Sequence, residues 1–342
     1  VTGGGAKPHP VLRKIVFVLT VLVLAAALGI GFLLATSVLS KQEIEEGILR
    51  LDKNAALRAH GLERRSLRFE DRDAELIYAH VPRREGAPET APVVLIHPTP
   101  HSLATWTEVV FGGEGHEGIG GGDFDVYALE MVGHGMTRTV AAPYSFDRCA
   151  AWIGTALDAL GLEGVTLVGQ SYGGEFAWRL AVDRPDLVGR LVLLDSSGIA
   201  RQDDEWLSEE VQMREMSVAT LGYALNSKER IAHALAPHFR DEVPADRVEE
   251  VFLTCAHADN WRAMVDLARD ENGTRAADLA RIACPTLIVW GEDDVALRLD
   301  RHGRRLAAEI PGARLEVLPS CGHYPQEEKP ARVVELLRAF AR

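Results

Sequence analysis

Residues 165–178 read Val-Thr-Leu-Val-Gly-Gln-Ser-Tyr-Gly-Gly-Glu-Phe-Ala-Trp. The first part is a nearly continuous apolar run, which predicts a strand covered on both faces, as in a parallel sheet. The pattern that follows predicts a helix over 172–184. Between them, Gly169, Ser171 and Gly173 form G-x-S-x-G. A sharp strand-to-helix turn needs small flanking residues so that strand and helix can approach, and Gly174 adds further room. In such a turn Ser171 projects with its hydroxyl exposed. The Tyr172 N–H points into the same space from the helix N-terminus, where amide dipoles favour developing negative charge. The plain alternative is a tight turn holding an inert serine, so the partners decide.

Serine is a weak nucleophile near neutral pH and needs a base that is itself oriented by an acid. Of the twelve histidines, His323 alone sits just beyond the last apolar run, in Ser-Cys-Gly-His-Tyr-Pro, before a C-terminal helical pattern. The acid is expected at the end of the preceding run, where Leu-Ile-Val-Trp-Gly-Glu-Asp-Asp offers Glu292, Asp293 and Asp294. The chain order Ser171, Asp294, His323 suits a parallel α/β architecture.

Outward from these motifs, apolar runs at 92–97, 124–130, 165–169, 191–195, 285–291 and 314–318 alternate with helical patterns near 146–160, 172–184, 300–309 and 327–341. Residues 66–69 and 75–80 predict an opening antiparallel hairpin. One interval of about 85 residues, between 195 and 285, has no clear strand. Trp261, Met264, Val265 and Ala268 there recur at i, i+3, i+4, i+7, an amphipathic helix, and 205–221 and 247–253 also look helical. Such an insertion is most simply a cap over the C-terminal edge of the sheet, at about 199–283.

From about residue 65 to 342 the chain resembles the α/β-hydrolase superfamily, in its capped, epoxide-hydrolase/esterase-like branch. The matching elements are the His97-Pro98-Thr99-Pro100 loop after the third strand, the Gly133-His134-Gly135 turn after the fourth, Gly-Gln-Ser-Tyr-Gly-Gly, Trp-Gly-Glu-Asp-Asp and Cys-Gly-His-Tyr-Pro. The resemblance implies an α/β-hydrolase fold, a mostly parallel eight-stranded sheet flanked by helices with a helical cap insertion. It implies Ser171, Asp294 and His323 as the catalytic residues. The acid of that family lies three residues after the strand-ending glycine, here Gly291, although some relatives draw it from the strand that ends at Asp195. Thr99 and Tyr172 are the implied oxyanion donors. Pro98 departs from the usual glycine and stiffens this loop. His97 reads as a loop brace and the Gly-His-Gly turn as structural, while His101 is either pocket-facing or a solvated loop residue.

With serine as nucleophile, the chain departs from the epoxide hydrolases and haloalkane dehalogenases, which attack with Asp at this position. The expected reaction is hydrolysis of a small or medium acyl or aryl ester, without cofactor or metal. Trp106, Trp261 and Met264 are the expected lining of an apolar pocket. The alternatives are hydrolysis of a carbon–carbon bond in a β-diketone-type substrate by the same triad, or a catalytically silent binding protein.

The N-terminal part is different. Residues 15–39, 25 positions, contain no charged side chain. A helix of that length is roughly 37 Å long at 1.5 Å per residue, against a hydrocarbon core of ~30 Å. Lys7, Arg13 and Lys14 precede it, which by the positive-inside rule places residues 1–14 in the cytoplasm and the remainder outside. A single-pass transmembrane anchor in the lipid bilayer is the expectation. A cleaved signal peptide is the competing reading, with Ala35-Thr36-Ser37 as small residues, but its apolar region is usually shorter. Residues 41–62 read as a polar spacer with a weak apolar stripe at Ile44, Ile48, Leu49 and Leu51.

Composition agrees with this division. The 342 residues are 47% hydrophobic and 25% charged, as in ordinary globular proteins. The 37 Lys and Arg against 50 Asp and Glu leave a formal charge of −13, which disfavours a nucleic-acid partner. Four cysteines without a Cys-x-x-Cys pair indicate neither a disulfide scaffold nor a zinc site. Gly113 to Gly118 matches G-x-G-x-x-G, yet it precedes a strand and so makes a poor dinucleotide site.

Overall fold

Eight strands form the central sheet: β1 (Glu63–Phe69), β2 (Arg72–Val81), β3 (Val93–Ile96), β4 (Val126–Leu129), β5 (Val165–Gln170), β6 (Val188–Leu194), β7 (Thr286–Gly291) and β8 (Arg314–Leu318). The computed structural model describes residues 39–137, 142–201 and 227–342. Their spatial order is β1-β2-β4-β3-β5-β6-β7-β8. β1 pairs antiparallel with β2 and β2 with β4, and all later pairs are parallel. The strands expected from the apolar runs fall on these segments.

The helices are α1 (Lys41–Arg50), α2 (Ala55–His60), α3 (Thr107–Phe111), α4 (Phe146–Leu160), α5 (Tyr172–Asp183), α6 (Lys228–Leu235), α7 (Ala245–Thr254), α8 (Ala258–Asp270), α9 (Gly303–Glu309), α10 (Pro325–Glu328) and α11 (Pro330–Phe340). The expected continuous helix over 327–341 is instead broken, because Pro330 lacks an N–H and starts a new helix.

Side chains on each strand alternate between two cores. Val94 and Ile96 of β3 and Leu167 of β5 join α4 and α5 on one face. Val93, Leu95 and Val168 join α1, α2, α3 and α11 on the other. Covered on both faces, β3 and β5 are fully buried, which explains their nearly continuous apolar sequences.

Residues 41–62 are not a spacer. Ser40 caps α1 through a capping box with Glu43, and Ile44, Ile48 and Leu57 are buried in the second core. The stripe read as weak is thus a core face, spaced one helical turn apart. Even Leu39, the last residue of the expected membrane segment, belongs to this unit, its N–H donating to Ala256 O at 2.8 Å. The rest of that segment, 15–38, lies outside the described residues. Among the described residues no helix is long and apolar enough to cross a membrane.

The interval between β6 and β7 carries α6, α7 and α8 and no strand among the described residues. The helix expected over 205–221 lies outside them. This insertion packs on loops that leave the C-terminal ends of the strands. Thr254 Oγ1 donates to Pro100 O after β3 (2.7 Å), Asn260 Nδ2 to Gly135 O after β4 (3.2 Å), and His323 N–H after β8 to His238 O (2.7 Å). That edge is where α/β sheets assemble their sites.

Candidate active site

Ser171 stands between β5 and α5 at φ +54°, a conformation that costs a residue with a side chain. Its surroundings impose the strain. A Cβ on Gly169 would lie 2.3 Å from Gly173 O, and one on Gly173 would lie 2.5 Å from His97 O. Only glycines let strand, helix and the loop after β3 converge this closely. The turn lifts the Ser171 hydroxyl toward His323, with Oγ 3.1 Å from Nε2. On the other side of the ring, Nδ1 is 2.8 Å from Asp294 Oδ2. A carboxylate only accepts, so Nδ1 carries the proton and Nε2 is left to accept from Ser171. Ser171, Asp294 and His323 are all buried, with Ser171 8% exposed.

Each member is braced. Asp294 Oδ1 accepts from the N–H groups of Ala296 (2.8 Å) and Leu297 (3.0 Å). Burial opposes its charge, but the His323 imidazole and these donors hold its carboxyl below the ordinary range. The loop bearing His323 is gripped by Glu328, whose oxygens accept from Gly322 N (3.0 Å), Tyr324 N (3.2 Å) and Arg240 N (2.9 Å). Gln170, beside the serine, donates to His323 O at 2.6 Å. Asp195, at the end of β6, is buried next to Asp294 and accepts from Gly291 N–H. The ligating atoms of Asp195, Asp294 and His323 lie within 4.8 Å of one another. With both Asp294 oxygens and His323 Nδ1 engaged in hydrogen bonds, this is a relay and not an open coordination site.

The loop after β3 is equally fixed. His97 Nδ1–H donates to Pro98 O (2.8 Å) and Nε2 accepts from Met131 N–H (3.0 Å). Burial pushes this imidazole down to about 3. His134, lowered to about 4 by burial, donates from Nδ1 to Val132 O (2.9 Å) and accepts the Thr99 hydroxyl at Nε2. Glu130 accepts from Leu103 N (2.9 Å) and Met136 N (3.1 Å), tying the two loops together. The Gly-His-Gly turn therefore holds Thr99 by a neutral imidazole. Tyr172 supplies the first amide of α5, and its hydroxyl donates to Glu271 of the insertion at 2.5 Å.

A family model described as the alpha/beta hydrolase family matches residues 93–336, more than half of the chain. The chain belongs to the alpha/beta hydrolase family. Among relatives of this hydrolase is an uncharacterized protein of Mycobacterium tuberculosis strain H37Rv, 28% identical over 270 residues, covering 72% of this chain and 74% of that protein. A 2-hydroxy-6-oxo-6-phenylhexa-2,4-dienoate hydrolase of Comamonas testosteroni is 30% identical over 179 residues, 51% of this chain and 61% of the relative. Of solved structures, a membrane phospholipase A described as a bacterial virulence factor superposes with a TM-score of 0.67 at 23% identity, covering 96% of this chain and 97% of that one. At that identity the likeness is one of fold.

Of the three expected pocket residues, Trp106 is placed in a core of the sheet. Trp106 is fully buried in the second core beside Leu103 and Val109, because the residues after the β3 loop turn into a short helical segment that packs inward. Trp261 donates its indole N–H to Cys255 O, and Met264 Sδ is 4.0 Å from Cys255 Sγ. Both side chains are buried. His101 is not solvated but buried, its Nδ1 accepting from Arg247 Nη1 at 2.9 Å. Glu328 and Glu271 lie outside every motif, and Gln170 occupies a variable position within one, so none of them takes a role from the sequence alone. Their only signal is polarity next to a motif, which many surface residues share.

Proposed function

We propose that this protein is a serine hydrolase that cleaves carboxylic esters through an acyl-enzyme on Ser171. The observation that carries the reading is the unbroken chain from Ser171 Oγ through His323 to Asp294. His323 Nε2 takes the Ser171 proton as Oγ adds to the ester carbonyl, and Asp294 stabilises the imidazolium that forms. The backbone N–H groups of Thr99 and Tyr172 stabilise the oxyanion, which collapses by expelling the alcohol with the proton from His323. Water, deprotonated by the same imidazole, then releases the acid. The substrate is a small-molecule acyl or aryl ester.

One relative favours a second reading. The Comamonas testosteroni protein is named as a hydrolase of a dienoate, and carbon–carbon hydrolysis of a β-diketone-type substrate can use the same three groups. Turnover of p-nitrophenyl acyl esters against turnover of such a diketone separates the two. In either case Ser171→Ala should lower kcat by at least about a thousandfold and abolish labelling by a fluorophosphonate. A wild-type protein left unlabelled would mean a catalytically silent binding protein. Undiminished activity in the Ser171→Ala variant would sink the nucleophile assignment.

Residues 15–39 support the further reading of a tether to the bilayer, with the catalytic unit outside the cytoplasm. The support is the uncharged apolar run and its cationic flank. Fractionation of the full chain into membranes, with release on deletion of 1–38, is the expected result. Recovery of the full chain in the soluble fraction would overturn it.

A further inference from the structure

Behind the triad lies a second buried carboxyl group that the acylation scheme does not use. Asp195 follows β6 at φ +40°, a left-handed conformation for a residue with a side chain, and is fully buried. Its N–H donates to Val289 O at 3.1 Å, and its oxygens lie 3.0 and 3.3 Å from the Gly291 N–H. These bonds lock the end of β6 to β7 and hold the carboxyl group beside Asp294, an oxygen of each lying within 4.8 Å of the other. Two buried negative charges this close repel each other strongly, and a single proton held by the pair relieves that repulsion. One of the pair must be an acid.

The surroundings select which. Asp294 already accepts from His323 Nδ1 and two backbone N–H groups, all of which favour its charged form. Asp195 has one N–H donor and faces the charges of Asp294 and Glu328. Burial, then Asp294, raises its carboxyl well above the ordinary range. We propose that the acid of the triad is a pair, in which Asp195 as a carboxylic acid donates its O–H to the Asp294 carboxylate and acts through it as a positioning residue. The pair carries one proton and one negative charge. The Asp195 O–H and the two backbone N–H groups together fix the Asp294 carboxylate, leaving Oδ2 aimed at His323. The arrangement also holds a reserve. If Asp294 becomes neutral, the nearest charge opposing ionisation of Asp195 is gone, and Asp195 becomes the carboxyl group that takes up the negative charge behind the imidazole.

This inference rests on the serine-hydrolase reading, and its test separates the two. In full-length protein held in detergent, the carbonyl band of a protonated carboxylic acid is recorded by infrared difference between wild type and Asp195→Asn. The measurement is made well above pH 7, where Glu130 and Glu175, raised by burial to about 7, are ionised. A band lost with Asp195→Asn is expected, and spectra without that loss overturn the proton assignment whatever the activity. In ester turnover, Asp195→Ala should lower kcat by roughly tenfold or more, the scale of a lost hydrogen bond to a charge, with KM held. Asp195→Asn, which keeps a donor toward Asp294, should recover most of that loss. Asp294→Asn should retain more activity than Asp195→Asn/Asp294→Asn, which is expected to fall by about ten-thousandfold, as when a triad acid is neutralised. Equal activity of the single and double variants overturns the reserve, and failure of Asp195→Asn to recover overturns the positioning role. If wild-type protein neither turns over esters nor labels with a fluorophosphonate, the catalytic reading fails while the infrared result still decides the pair.

Discussion

Glu130 shows how an ordinary side chain becomes costly by its place. Its two oxygens hold the loops that flank the site, accepting from Leu103 and Met136, and burial raises its carboxyl from 4.5 to about 7. Between those values the unfolded chain has lost this proton while the folded chain keeps it. Folded protein therefore binds more protons across the window, and this contribution to stability falls as pH rises through it. Glu130→Gln removes the titration, at a fixed cost from one backbone N–H left without its acceptor. Urea unfolding of both proteins should show wild type losing ground to the variant between about pH 4.5 and 7, by on the order of 1–3 kcal/mol. A difference independent of pH would show that Glu130 is not the group that titrates.

At the scale of elements, a buried arginine of the insertion gathers segments from either side of it. Arg247 of α7 is buried and reaches Glu250 Oε1 (3.0 Å), Glu327 and His101 Nδ1 (2.9 Å), while Ser102 Oγ donates to Glu250 Oε1 (2.8 Å) and Lys53 Nζ sits 2.7 Å from Glu250 Oε2. Four separate parts of the chain meet there. Arg247→Ala leaves Glu327 without its cation and Glu250 with Lys53 alone, and breaking such a buried pair costs about 3–5 kcal/mol. Equilibrium unfolding checks this, with a loss below about 1 kcal/mol contradicting a fastening role. None of this was legible in the sequence, because Arg247, Glu250 and Glu327 look like charges on solvated helix faces until the fold brings them together. The turn at Ser171 was legible for the opposite reason. Its backbone geometry admits only a narrow set of residues, and those residues are consecutive. The same contrast explains Trp106. An apolar residue announces burial but not which cavity or core buries it.

For the whole molecule, the boundary of the folded unit matters most. A reading from motifs starts the catalytic domain near residue 63, yet the chain is already part of the unit at Leu39. Lys41 Nζ reaches Asn260 Oδ1 (2.6 Å) and Gly135 O (3.0 Å), and burial lowers its amine to about 8. Ile44, Ile48 and Leu57 then fill the core against the sheet. Burying each of these three is worth roughly 1.5–3 kcal/mol, which summed is comparable to the ~5–15 kcal/mol that holds an entire domain together. Residues 39–62 are therefore an outer layer of the folded unit. A chain beginning at residue 39 should unfold cooperatively and retain ester turnover. One beginning at residue 63 should lose about 10 °C or more in Tm, or fail to fold. Equal Tm values for the two fragments would return residues 41–62 to the role of a spacer. The triple variant Ile44→Ala/Ile48→Ala/Leu57→Ala in the longer fragment separates the packing from the mere presence of the segment, and it should reproduce most of the loss.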